Sequence, residues 1–172
     1  MIIAIWIVGS LVASIALMAA IGLCLDRNHT ASRTIALKRP QAEVFAVVSD
    51  VTKTAAWRDD VKSIDVLPPD NGRTRFREHS NNGPILFEVA ECAAPARLVV
   101  RIADETLAFG GRWVFELAPE GEGCRIRITE EGFVKNPVFR FLSRTVFSPA
   151  ATLETYLRAL GRKFGEKVEP AP

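Results

Sequence analysis

The chain has 172 residues, a formal net charge of +2 at pH 7 and three cysteines. Because the charge is close to neutral and spread along the chain, we expect no nucleic acid or other polyanion as a partner. Cys24, Cys92 and Cys124 form no CxxC pair and have no histidine-rich neighbourhood. This spacing matches neither a disulfide framework nor a metal site, so we expect no metal and no cofactor.

The first 25 residues form an uninterrupted apolar run that contains no Asp, Glu, Lys, Arg or His. At a rise of about 1.5 Å per residue, a helix of this length spans a hydrocarbon core of about 30 Å. A signal peptide has a basic start and an apolar core of only about 7–15 residues, whereas no Lys or Arg precedes this longer run. The sequence therefore predicts a single transmembrane helix over residues 1–25.

Basic residues follow this helix, but none precedes it. Arg27, Arg33, Lys38 and Arg39 all lie shortly after the apolar run. The positive-inside rule then predicts that the rest of the chain lies on the cytoplasmic side of the membrane. We expect a linker over residues 26–31, one domain over residues 32–168 and a frayed tail over residues 169–172. The expected partner is the membrane, and any protein partner is unknown.

After the linker, the sequence indicates a strand over residues 32–37 and two short helices over residues 41–48 and 52–57. Pro40 suits the first position of the first of these helices. From Val61 onward, apolar and polar residues alternate, and turn sequences rich in Gly and Pro interrupt the alternation. This pattern predicts an antiparallel meander of six further strands, over residues 61–67, 73–80, 84–92, 97–103, 106–117 and 124–131.

The C-terminal part of the chain has the pattern of helices. An Asn-Pro pair ending at Pro137 predicts the start of a helix that reaches about Phe147. A Ser-Pro pair ending at Pro149 either kinks this helix or begins a second, longer one that reaches about Lys167. Apolar residues recur there at every third or fourth position, which is typical of an amphipathic helix with one buried face.

A strand, two short helices, six antiparallel strands and a long C-terminal helix make up the α+β layout of a helix-grip fold. In three stretches the chain resembles the START-like (SRPBCC) superfamily and, within it, the polyketide cyclase/dehydrase and lipid transport family: IALKRPQAEVFAVVSDVTKTAAWRDDVKSIDVL, FEVAECAAPARLVVRI and GGRWVFELAPEGEGCRIRITEE. The resemblance covers residues 32–168. It implies a seven-stranded antiparallel sheet wrapped around the last helix, with an apolar cavity between them. The membrane helix and the interruption at Pro149 depart from the family pattern.

Strand alternation and this resemblance together predict which side chains face the cavity. Any one of the apolar members is also explained by ordinary core packing. The expected ligand-binding residues are Trp57, Phe76, Glu78, Phe87, Trp113, Phe115, Ile128, Glu130, Leu153 and Leu157.

Glu78 and Glu130 are the two polar residues in this set. A carboxylate in an apolar cavity has a raised pKa or needs a partner, so each is a candidate polar contact for a ligand. A slip of one residue in the strand register would instead place both in solvent.

The histidines do not indicate catalysis. We expect His29 in the linker and His79 on the outer face of the sheet, on a strand that also carries Arg73, Arg75 and Arg77. The arginines either touch acidic lipid headgroups or form an ordinary solvated face. Since no nucleophile elbow, P-loop, GxGxxG or HExxH sequence is present, we assign no catalytic residue.

The resulting hypothesis is a membrane-anchored protein that binds a small hydrophobic molecule, lipid-like or isoprenoid-like, without covalent chemistry. One alternative is an enzyme of the cyclase/dehydratase type that uses Glu78 or Glu130 for proton transfer. Another is a membrane-tethered interaction module whose cavity is filled by its own side chains.

Overall fold

A computed structural model describes residues 2–81, 83–145 and 148–172. A helix precedes the domain, two short helices follow its first strand, and two helices close the chain. In chain order the elements are α1 (Ile2–Cys24), β1 (Asn28–Leu37), α2 (Gln41–Ser49), a 3-10 helix (Val51–Ala56), β2 (Val61–Asp70), β3 (Arg73–Ser80), β4 (Gly83–Ala93), β5 (Arg97–Ile102), β6 (Phe109–Glu120), β7 (Gly123–Val134), α3 (Pro137–Thr145) and α4 (Pro149–Lys163).

The strands form one seven-stranded antiparallel sheet in the order β1-β7-β6-β5-β4-β3-β2. This confirms the predicted sheet and the α+β helix-grip layout. Strands β2 to β7 form a meander, and β1 pairs with the last strand, from Asn28 opposite Phe133 to Leu37 opposite Cys124. Because neighbouring strands are antiparallel, the starts of β1, β2, β4 and β6 and the ends of β3, β5 and β7 lie together beside α1. We call this the α1 end of the sheet.

Strand β1 begins earlier than predicted. Its backbone pairs with β7 from Asn28 onward, so the expected linker over residues 26–31 is mostly strand and the prediction that His29 lies in a linker is wrong. The polar side chains of this stretch obscured the strand, because the backbone hydrogen bonds that define it do not depend on side-chain type. β7 also continues to Val134 and supplies the partners for these residues.

The C-terminal tail is not frayed. Thr34 donates its backbone N–H to the Ala171 carbonyl at 2.8 Å, and Ala171 donates to the Thr34 carbonyl at 2.9 Å. The Lys38 N–H also donates to the Glu166 carboxylate, at 3.1 Å to each oxygen. β1 is an edge strand with unpaired backbone groups, and the tail satisfies some of them.

Helix α4 supplies the main cover for the inner face of the sheet. Leu153, Leu157 and Leu160 are fully buried, which confirms the predicted apolar face. Pro149 begins this helix instead of kinking a longer one. The helix ends at Lys163, short of the predicted Lys167. The predicted end of the preceding helix, at Phe147, lies outside the described residues.

The inner face of the sheet is covered unevenly. An ion pair of 2.8 Å between Arg33 of β1 and Glu154 of α4 fixes the helix over the β1–β7 side. On the other side, Phe87 and Val89 of β4 and Val100 and Ile102 of β5 are only half-buried, and Val66 of the edge strand β2 is exposed. The inner faces of β2 to β5 therefore carry a partly uncovered apolar surface, which we call the open half; its half-buried members are Ile64, Phe87, Val89, Val100 and Ile102.

Candidate ligand-binding site

Tyr156 of α4 is the centre of an aromatic cluster between the helix and the sheet. Its ring lies edge-on to Trp57 at a centroid distance of 5.2 Å, and 5.5 Å from both Trp113 and Phe115. The Tyr156 side chain is buried, because it follows Leu153 by three residues and so lies on the same face of the helix. The cluster joins the residue that follows the 3-10 helix to residues of β6 and α4.

The guanidinium of Arg58 packs against this cluster. Its central carbon is 5.2 Å from the centroid of the Tyr156 ring, a distance at which a cation is attracted to a ring face. Nη1 donates to Glu78 at 3.0 Å, and Nε donates to Asp60 at 3.2 Å. Nη2 donates to both carboxylates. Arg58 and Glu78 are largely buried, with 9% and 13% of their side chains exposed.

Two carboxylates around one guanidinium give the group an excess of one negative charge when all are ionised. Burial raises the pKa of Glu78, although the charge of Arg58 opposes this. At Asp60 burial also favours the neutral form, but the hydrogen bond and charge of Arg58 outweigh it and lower the pKa. Burial raises the pKa of the Tyr156 hydroxyl, which stays neutral. Glu78 is therefore the carboxylate of the pair that accepts a proton more readily.

The second predicted carboxylate lies on the other side of Tyr156. Glu130 stands opposite Trp113 in the register of β6 and β7 and accepts the indole N–H at 2.9 Å. The Nε2 atom of His29 lies 3.0 Å from the other oxygen of Glu130. Gly132 leaves room for the imidazole, because a Cβ there would lie 2.4 Å from the ring.

Trp57 carries a buried donor without an acceptor. Among the residues that the structure describes, its indole Nε1 has no hydrogen-bond partner. A buried N–H without an acceptor is costly, so such a group usually meets water or a ligand oxygen. It lies in the same cluster as Arg58 and Tyr156.

The structure places seven of the ten predicted residues on the inner face of the sheet and the other three, Trp57, Leu153 and Leu157, on the side that this face looks toward, in two environments. Ile128, Leu153 and Leu157 are fully buried core side chains, and Phe76 and Phe115 are nearly so. Phe87 stacks on Phe76 and belongs to the open half. Trp57, Trp113, Glu78 and Glu130 belong to the polar and aromatic cluster. Their contact with a ligand remains a prediction.

Sequence reasoning missed four members of this cluster: His29, Arg58, Asp60 and Tyr156. Signals for two of them were present. His29 has the same strand parity as the buried Ile35 and Leu37, and Tyr156 shares the spacing of the apolar helix face. Arg58 and Asp60 gave no signal, because they follow a short helix in a segment without periodicity.

A separate surface groove of about 780 Å³ lies at the opposite end of the sheet. The end of β1, the β6–β7 turn and residues 166–169 line it, and none of the ten predicted residues does. Its charged lining includes Lys38, Glu120, Glu122 and Glu166. We place the candidate site on the inner face instead, where buried polar groups adjoin apolar surface. Among the described residues, no group of three His, Cys, Asp or Glu side chains is arranged to hold a metal ion.

Comparison with solved structures shows the same fold in proteins of low sequence identity. A START superfamily protein from Mycobacterium smegmatis has a TM-score of 0.63 at 20% identity, covering 78% of this chain and 96% of that one. A protein from Thermus thermophilus has a TM-score of 0.63 at 22% identity, covering 79% and 95%. The di-domain ARO/CYC StfQ from the steffimycin biosynthetic pathway has a TM-score of 0.62 at 12% identity, covering 80% and 52%.

A search of curated protein sequences found no match. The family model described as polyketide cyclase / dehydrase and lipid transport matches residues 28–168. The match begins at the first residue of β1 and includes the whole sheet and α4. It covers most of the chain and agrees with the fold. The chain therefore belongs to the polyketide cyclase / dehydrase and lipid transport family.

Proposed function

We propose that this chain is a membrane-anchored protein that binds a small apolar molecule on the open half of the inner face. The observation that carries the proposal is the buried indole N–H of Trp57, which has no acceptor among the described residues. It belongs to the same aromatic cluster as Trp113, which stands opposite the half-buried Val100. A ligand whose apolar body covers Phe87 and Val100, and whose oxygen meets Trp57, would satisfy both. Pockets for small molecules commonly combine apolar walls with a few such polar groups.

The charges of the cluster indicate the polarity of the ligand. The Nε, Nη1 and Nη2 atoms of Arg58 all donate to Asp60 or Glu78. Each nitrogen of this guanidinium therefore already has a carboxylate acceptor, and a ligand acid would have to compete for it. A ligand carboxylate or phosphate would instead meet surplus negative charge in a poorly hydrated environment. We therefore infer a neutral apolar ligand with a hydroxyl or carbonyl group, such as an isoprenoid-like alcohol or ketone.

Helix α1 supports the proposed anchoring. The 19 residues Trp6–Cys24 have a mean hydropathy of 2.4, and only 6% of the most apolar stretch is buried. An apolar helix that packs so little within its own chain suits a lipid environment. β1 follows after a few residues, and this connection would hold the domain close to the bilayer, where lipid-like molecules are concentrated. The basic residues after α1 favour the cytoplasmic side.

The test is native mass spectrometry of the full-length protein extracted from membranes in a mild detergent. We expect a retained neutral apolar adduct, and its mass identifies the chemical class. The adduct is then added back to Trp57→Phe, which should bind it about tenfold more weakly, because one hydrogen bond contributes about 1–1.5 kcal/mol.

A control is Glu122→Gln, an exposed position in the β6–β7 turn at the opposite end of the sheet that should leave affinity unchanged. Protein that carries no adduct and binds no neutral lipid from a panel would contradict the proposal. An adduct that is a fatty acid or phospholipid anion would contradict the inferred polarity alone.

A second candidate function, an enzyme of the cyclase/dehydratase type, is favoured by the raised pKa of Glu78. A carboxyl group that keeps its proton at higher pH can act as a general acid toward a bound carbonyl. Glu78→Gln should then abolish turnover of a polyketone probe while leaving its binding intact. Equal turnover by the variant would remove Glu78 from this role.

A further inference from the structure

The α1 end of the domain carries an exposed aromatic patch. Outside α1, the large apolar side chains that are exposed among the described residues are Val66, Phe133 and Phe139, with Phe133 and Phe139 37% and 48% exposed. Phe139 stacks on Phe109 at 6.5 Å, with an angle of 11° between the ring planes. The Lys135 ammonium lies 5.9 Å from the centroid of the Phe133 ring. The register pairs Phe109 with Val134 and Gly110 with Phe133, so Phe109 and Phe133 lie on opposite faces of the sheet at this end. We call Phe109, Phe133, Lys135 and Phe139 together the aromatic patch.

Helix α3, which carries Phe139, is fixed to the end of α1 by a buried arginine. Arg140 donates to the carbonyls of Gly22 at 2.9 Å and Leu25 at 3.0 Å. It also donates to the carbonyls of Val134 and Lys135, each at 3.1 Å. The last carbonyls of a helix lack partners within the helix and attract a cation, so Arg140 caps α1.

Close packing reinforces this junction. A Cβ on Gly22 would lie 1.9 Å from the Pro137 carbonyl oxygen, so only glycine lets α3 approach α1 at this point. Arg144 adds a hydrogen bond of 2.7 Å to the Asn28 carbonyl, at the start of β1. The position of α3, and with it that of Phe139, is therefore set by the last turn of α1.

We propose that the aromatic patch inserts into the interface of the same bilayer that holds α1. The proposal rests on the membrane anchoring argued above. Charged residues begin at Asp26 and Arg27, directly after the apolar helix, so α1 leaves the hydrocarbon at the level where α3 packs against Gly22. Apolar rings beside a basic side chain are the composition that the headgroup region favours. Because α3 packs on the last turn of α1, Phe139 is held close to this exposed apolar helix, and lipid is the occupant of the patch.

This arrangement gives the domain one orientation on the membrane instead of free movement on a tether. The polar and aromatic cluster also lies toward the α1 end, since Glu78 and Glu130 are near the ends of β3 and β7. Insertion of the aromatic patch would keep this end of the inner face against the lipid surface.

The experiment measures the depth of nitroxide labels in the full chain, reconstituted in phosphatidylcholine vesicles. The background carries Cys24→Ser and Cys92→Ser, and the buried Cys124 is retained. Separate proteins carry the label at Phe133→Cys, Phe139→Cys, Ala13→Cys in the middle of α1, and Glu122→Cys in the β6–β7 turn at the opposite end. Power saturation with oxygen and with a nickel chelate reports the depth of each label.

We expect the labels at 133 and 139 to favour oxygen over the nickel chelate, at a depth between those of the aqueous label at 122 and the deep label at 13. If the label at 13 is deep but the labels at 133 and 139 are as aqueous as that at 122, the patch does not insert into the interface. That result would overturn this proposal and leave the anchoring by α1 intact. An aqueous label at 13 would refute the anchoring and this inference together. Dipolar broadening at 139 that disappears on dilution with unlabelled protein would identify a second copy of the chain as the occupant and overturn the proposal.

Discussion

Arg58 and Tyr156 form a cation–π pair in the interior, with the guanidinium carbon 5.2 Å from the ring centroid. The pair joins the segment before the edge strand β2 to helix α4, which lies over the β1–β7 side of the same inner face. Arg58 also holds Glu78 and Asp60, and Tyr156 touches Trp113, whose indole holds Glu130. Both predicted carboxylates are thereby connected to one aromatic cluster.

Removing the guanidinium should destabilise the domain strongly. Arg58→Met leaves Glu78 and Asp60 without their cation, and breaking a buried ion pair from one side typically costs about 3–5 kcal/mol. The measurement is the free energy of unfolding in urea of the full-length protein in detergent. The control is Arg162→Met, which removes an exposed ion pair with Asp59 and should cost less than about 1 kcal/mol. Equal losses would show that the Arg58 cluster contributes no more than a surface pair.

The stability contributed at Glu78 should depend on pH with a defined sign. Because burial raises the pKa of Glu78 above its ordinary 4.5 in the folded state, the folded protein binds this proton more tightly than the unfolded chain. The contribution is therefore fully present below pH 4.5 and is lost as the pH rises through the folded-state pKa. Asp60, whose pKa is lowered, acts in the opposite sense, and its contribution is lost as the pH falls below its ordinary value.

Glu78→Gln isolates the first of these effects. The wild type should lose stability relative to the variant as the pH rises above 4.5, in urea titrations repeated from acidic to neutral pH. A pH-independent difference between the two proteins would contradict the raised pKa.

The two interior tryptophans near Tyr156 should respond differently to the same substitution. Trp113→Phe removes the hydrogen bond to Glu130, and a bond to a charged acceptor contributes about 1.5–3 kcal/mol. Trp57→Phe removes an N–H that has no acceptor in the described structure, so it should cost less in protein without ligand. Urea unfolding of both variants, monitored by circular dichroism, gives the comparison. A larger loss for Trp57→Phe would indicate that its indole already has a partner.

The junction between α1 and α3 should depend on one glycine. Gly22→Ala forces its Cβ against the Pro137 carbonyl and should separate the two helices, although Ala otherwise favours a helix over Gly by about 1 kcal/mol. Gly9→Ala is the control, because nothing lies within 4 Å of its Cβ position. Hydrogen exchange of the α3 amides should become faster for Gly22→Ala alone. Unchanged protection in that variant would refute the close packing.

Much of the fold could be predicted because it depends on local patterns. The alternation in β3 and β7 correctly indicated that Glu78 and Glu130 share a face with Phe76 and Ile128. The start of β1 was misplaced because the strand there is defined by backbone pairing with β7, which side-chain patterns do not reveal.

The sequence by itself determined the apolar helix, the antiparallel sheet, the amphipathic C-terminal helix and the family, since these follow from periodicity, turn residues and local resemblance. Only the tertiary structure decided which side chains meet. His29 and Glu130 are 101 residues apart in sequence and 3.0 Å apart in the fold, and Arg140 reaches the carbonyl of Gly22, 118 residues earlier. Periodicity assigns a side chain to a face, but the register of distant strands and the packing of helices determine its neighbours. The site is a product of those long-range contacts.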